Sequence, residues 1–219
     1  MCFSATVSFT ASSVLLPAGV YSIAKAIKKD KRYLFVAFVP VFFAIQQAVE
    51  GIIWVYFGKG MPASAKSWSY VYLLFVFACW PFFIALCAYA IENNNRRRKM
   101  LYWFVLVGAF LSAASYLSIV TDFMPFDISV VAHSISYKYH APAWLLVLFF
   151  IFYAGSSILP LLLSTVREMY LIGIMYFIAL IASLVWYLYA FTSVWCFFAA
   201  AIAIYISWLM KNLGVQARG

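Results

Sequence analysis

Apolar residues run through this chain in long blocks, broken by short clusters of charge. Seven blocks reach the length of about 20 residues that a helix needs to cross a bilayer. They lie at roughly 5–24, 33–57, 69–91, 101–121, 142–165, 170–190 and 193–210. Hydrocarbon offers the backbone no hydrogen-bond partners, so such segments must be helices unless they close a barrel. The alternating pattern of barrel strands is missing. The predicted fold is therefore all-α: a polytopic helical membrane protein with seven transmembrane helices, in one domain over 1–219. Pro17, Pro40, Pro81 and Pro160 fall inside blocks and mark expected kinks. The one substantial connection is 122–141. Within it, HSISYKYH reads as an extended stretch of alternating residues.

Composition strengthens the membrane reading. The chain is 68% hydrophobic and 10% charged, whereas soluble domains carry about 25% charged residues. A net charge of +9 would suit nucleic acid. The basic residues, however, sit in short runs between apolar blocks, which is a topology pattern and argues against nucleic acid as a partner. With the N-terminus outside, the inner side holds Lys25, Lys28, Lys29, Lys31, Arg32, Arg96, Arg97, Arg98, Lys99, Arg167, Lys211 and Arg218. The outer side holds only Lys59, Lys66 and Lys138. Twelve against three predicts an outer N-terminus and an inner C-terminus. The first block has no basic residues before it, so it is expected to be a span and not a cleavable leader. NNNRRRK, residues 93–99, is expected to anchor the inner face near anionic lipid.

Against this background FAIQQAVEGIIW, residues 43–54, is unusual. Gln46, Gln47, Glu50 and Trp54 share one helix face at spacings of three and four, and Gly51 allows a neighbour to approach closely. At 1.5 Å per residue, Glu50 lies roughly 25 Å along its span, in the outer third. A carboxylate facing lipid is costly, so this face must point into the bundle. Other polar candidates gather at the same end: Cys2, Cys196, His133 and His140, with Ser112, Ser115 and Tyr116 in the fourth span. Cys2 and Cys196 can be read as a disulfide, as packed thiols or as metal ligands. There is no CxxC or HExxH spacing. His133 and His140 are seven apart, which on a simple strand points them to opposite faces. Polar groups at one end only argue against a transporter, whose site lies near the midplane.

Four stretches, MCFSATVSF, FAIQQAVEGIIW, PLLLS and SVWCFFAA, resemble an uncharacterised family of small bacterial integral membrane proteins that begin Met-Cys-Phe-Ser. The resemblance implies a multi-pass protein of the bacterial inner membrane and brings no assigned activity. Two comparisons limit the chemistry. A retinal Schiff base needs a lysine in the middle of the last helix, and Lys211 lies at its inner end. Membrane hydrolases of the alkaline ceramidase type share the span count but bind zinc through three histidines, and this chain has two.

The functional expectation is an outward-facing polar pocket that binds a metal ion, a cofactor or a small lipid-like ligand. Glu50 is its acid and candidate catalytic group. Gln46, Gln47, Trp54 and Trp195 are candidate ligand-binding residues. Cys2, His133, His140 and Cys196 are candidate donors to a transition-metal ion or haem. The contrasting expectation is a non-catalytic subunit or scaffold that packs against a partner membrane protein.

Overall fold

The computed structural model describes residues 4–212. Cys2 and Arg218 lie outside the described residues. Eight α-helices and one β-hairpin follow in the order α1 (Ala5–Lys29), α2 (Leu34–Gly58), α3 (Pro62–Leu73), α4 (Trp80–Ile91), α5 (Asn95–Val120), β1 (Phe126–Val131), β2 (Ser134–Tyr139), α6 (Ala143–Leu162), α7 (Arg167–Trp186) and α8 (Phe191–Asn212). Six π-helical residues, Leu74–Cys79, join α3 to α4 in one continuous span. Among the described residues, seven helical segments are long and apolar enough to cross a membrane.

Local chemistry sets the helix boundaries. The Ser4 hydroxyl accepts from Val7 N and caps α1. Asn94 caps α5 by accepting from Arg96 N and Arg97 N. The Arg-rich run is therefore the first turn of a helix, which starts six residues before its apolar block. Pro62 sits in the first turn of α3, where its missing N–H costs nothing. The polar turns of SAKSWS hide this start from a hydropathy reading.

Pro17, Pro40 and Pro160 are accommodated inside single helices. Pro81 coincides with a change of helix type. A proline removes one backbone donor and crowds the carbonyl four residues back. Here Trp80 N donates to Phe75 O, a five-residue closure that inserts an extra residue into the turn.

The connection 122–141 contains more structure than its sequence suggested. β1 and β2 pair antiparallel from Phe126↔Tyr139 to Val131↔Ser134. The turn is Ala132–His133, with φ of 45° and 57°. A two-residue turn needs this left-handed geometry, which usually selects Asn-Gly, and the absence of that dipeptide concealed the hairpin. Ile135 and Tyr137 point inward and are buried, while Lys138 points out. The Ser136 hydroxyl donates to Tyr189 O at 2.7 Å, fixing the hairpin to the connection between α7 and α8.

The second, third and last spans form the centre, with 67%, 61% and 67% of their windows buried, against 22% for α1 and α5. Glycines let helices approach closely, α5 on the centre and α7 on α6. A Cβ at Gly108 would lie 2.4 Å from the Pro81 carbonyl oxygen, and one at Gly173 would lie 2.9 Å from Leu161 Cβ. At the end opposite the hairpin, Glu92 accepts from Asn94 N at 2.9 Å, Ser164 Oγ at 3.1 Å and Thr165 N at 2.8 Å, and also from the Thr165 hydroxyl. It thereby ties the α4–α5 connection to the α6–α7 connection.

Two outcomes are expected. Gly108→Ala pushes α5 off the Pro81 carbonyl and costs about 1–3 kcal/mol, read by denaturant unfolding in micelles. Burial raises the affinity of Glu92 for a proton, but its accepted hydrogen bonds outweigh that and hold the carboxyl below the usual glutamate value. Its contribution is therefore complete above the unfolded value and is lost as pH falls through the lower folded one. Thermal melts of wild type should lose stability on acidification in that range, and Glu92→Gln should remove this component.

Candidate functional site

Glu50 lies about two-thirds of the way along α2 and is fully buried. Its Oε1 accepts from the Ser193 hydroxyl at 2.5 Å and its Oε2 from Gln47 Nε2 at 3.2 Å. The Gln46 Oε1 accepts from Trp80 Nε1 at 2.8 Å. Trp80 is held face-on against Phe43, with centroids 4.0 Å apart and planes 18° apart. One face of α2 is thus hydrogen-bonded to α4 and α8 through buried carboxyl and amide groups, and such bonds are stronger in a low-dielectric interior than in water. Gly51 leaves room on the other side, where an added Cβ would meet the Phe9 ring of α1 at 2.8 Å.

Cys196 follows Ser193 by three residues on α8, so both point to one face. Its thiol interacts with Tyr72 and Gln46. Tyr72 stacks on Tyr137 of β2 with centroids 5.4 Å and planes 2° apart. Tyr137 is a roof over the polar cluster. Burial pushes its phenol well above the ordinary tyrosine value, with the nearby Glu50 carboxyl adding to the rise.

The open volume lies beside these polar groups and not among them. A cavity of about 460 Å³ is bounded by β2, the start of α6, the end of α7 and the start of α8. Phe77, Tyr139, Phe149, Tyr153, Trp195 and Cys196 are in its wall. Val147 and Leu188 also line it and are 57% and 70% exposed, so the cavity opens sideways on the apolar outer surface of the bundle. Gly173 packs α7 against α6 near Leu161 and Leu162, far from this opening.

The structure brings together Glu50, Gln46, Gln47 and Cys196, and it places Trp195 on the cavity wall. Trp54 is half-buried one turn beyond Glu50, away from the cavity. Both histidines are exposed. His133 occupies the hairpin turn, and His140 pairs with Asp127 at 2.7 Å at the hairpin base. That contact holds the Asp127 carboxyl below its ordinary value. Among the described residues no three His, Cys, Asp or Glu side chains converge as a metal site would require. The metal-binding expectation for Cys2, His133, His140 and Cys196 gains no support from this arrangement: His133 and His140 are on the exposed hairpin, Cys196 is in the core, and Cys2 is outside the described residues. Ser193, Trp80 and Tyr137 are not among the residues that the sequence led us to expect in the site. Ser193 was visible only as the start of SVWCFFAA, and its partner is 143 residues away.

Removing one side of the central bond should be costly. Ser193→Ala is expected to lose about 1–3 kcal/mol of unfolding free energy, because it leaves a buried carboxyl oxygen without its donor. Glu50→Leu should lose more, since it strands the donors of both Ser193 and Gln47. A double-mutant cycle between Ser193→Ala and Glu50→Gln should give a coupling of at least about 0.5 kcal/mol. Strictly additive values would show that the bond is not a determinant.

No curated protein and no solved structure matches this chain. A family of unknown function, DUF6629, matches residues 1–217, and the chain belongs to that family.

Proposed function

We propose that this is a multi-pass protein of a bacterial inner membrane, with its N-terminus outside and its C-terminus inside, that holds one small lipid-like molecule in the aromatic cavity at its outer end. The cavity carries the reading. Its 460 Å³ falls within the range of about 300–1,000 Å³ typical of small-molecule sites. An apolar cavity of about 150 Å³ takes benzene, so this one has room for roughly 18 heavy atoms. Its rim residues belong to the apolar outer surface, so a ligand dissolved in the bilayer reaches it without crossing water. The seven apolar spans and the twelve-to-three division of basic residues support the placement and orientation.

In this reading Glu50 is an anchor of the site. It fixes the start of α8, and hence Trp195 and Cys196, against α2. The hairpin closes the cavity from above through Tyr137 and Tyr139. Of the three ligand classes expected from sequence, the lipid-like one agrees with the chemistry of the wall.

Native mass spectrometry of protein extracted directly from membranes should show one lipid-like adduct per chain. Val147→Trp, which fills the mouth from an exposed position, should remove the adduct with little change in melting temperature. A chain that carries no adduct but copurifies with a fixed membrane partner would be a subunit or scaffold instead. Lys138→Cys should react with an impermeant maleimide in intact spheroplasts. Labelling only after lysis would reverse the orientation.

A further inference from the structure

A second, much smaller cavity of about 30 Å³ continues inward from the first and shares Tyr153, Trp195 and Cys196 with it. Tyr153, Trp80 and Cys196 line it together with Ser157 of α6, Tyr176 of α7 and Trp195 of α8, and the last three matter most here. These three are 7%, 6% and 7% exposed. The Ser157 hydroxyl, the Tyr176 hydroxyl and Trp195 Nε1 have no hydrogen-bond partner among the described residues. Buried polar atoms are nearly always paired, and each one left unpaired carries its full desolvation cost. Of the buried polar side-chain atoms left unpaired among the described residues, these three sit on side chains that line one small space, each from a different helix.

We propose that this small cavity receives the oxygen of a neutral lipid that lies in the larger cavity with its single hydroxyl or carbonyl pointing inward. The inference rests on the lipid-binding reading above and names the ligand class. Three arguments specify it. The indole N–H can only donate, so the ligand must offer an acceptor, while the serine and tyrosine hydroxyls can donate or accept. Among the described residues no lysine, arginine, histidine, aspartate or glutamate lines the space, so a charged headgroup would be buried there without a counter-charge. The volume equals about two water-sized groups, since one needs roughly 10–15 Å³. A hydroxyl or carbonyl fits, and a phosphate or sugar does not. Trp80 also lines the space, but its N–H is already committed to Gln46.

The test offers the purified protein, in detergent micelles at pH 8, three chains of equal length: hexadecane, 1-hexadecanol and sodium hexadecanoate. Retention is read by native mass spectrometry. The alcohol should be retained about tenfold better than the alkane, as one to two buried hydrogen bonds imply, and better than the carboxylate. In the double variant Ser157→Ala/Tyr176→Phe that preference should vanish, with alkane retention unchanged. The ligand-free variant should melt higher than wild type, because two unpaired buried hydroxyls are gone. A purely structural role for these hydroxyls predicts a lower melt instead. Equal retention of alcohol and alkane by wild type overturns the proposal, as does a preference that survives in the double variant. That is the behaviour of a small cavity filled only by water. Retention of none of the three overturns the lipid-binding reading itself, and this inference with it.

Discussion

The arrangement depends on a buried carboxylate that must be satisfied from across the bundle. Glu50 has no exposure, and an acid in that position is tolerable only where donors surround it. Gln47 supplies one donor from the same helix turn, and Ser193 supplies another from the last helix. Because α8 is held there, Trp195 and Cys196 face the cavities, and the first turns of α8 form a wall. The position of one oxygen atom thus fixes the side of the helix that meets the open volume.

The elements around that bond each relieve a specific conflict. Pro81 cannot sit in a regular helix interior without disturbing it. The π-helical turn before it absorbs the disturbance and brings Trp80 to Gln46. The hairpin brings in strand residues whose alternation puts Tyr137 over the polar cluster and Lys138 outside. The glycines set where helices approach most closely, and between α6 and α7 that approach is at Gly173, beside Leu161 and Leu162.

Much of the fold was legible in the sequence. The seven apolar blocks appear as seven helical segments, because length and hydropathy are local properties. The shifts at Pro62 and Asn95 arise where polar residues occupy the first turns of a helix. That Glu50 faces inward followed from the energetic penalty of any other orientation. Its partner did not follow, since a serine in an apolar run gives no indication of what lies 143 residues before it. The hairpin was missed because Ala132–His133 adopts a conformation usually marked by Asn-Gly. Of the expected cysteines and histidines, Cys196 is in the core while His133 and His140 are on the exposed hairpin. Depth along a helix says nothing about whether a residue is in the core or on a loop.

The span between Glu50 and Ser193 also sets an order of events during synthesis. Gln47 is present beside Glu50 from the moment α2 exists. Ser193 emerges 143 residues later, which is roughly 7–30 s at about 5–20 residues per second. During that interval α1 to α7 can pair with their neighbours, but the central bond cannot form. The bundle therefore closes last at its centre, and a chain truncated before residue 193 lacks the contact that fixes its middle.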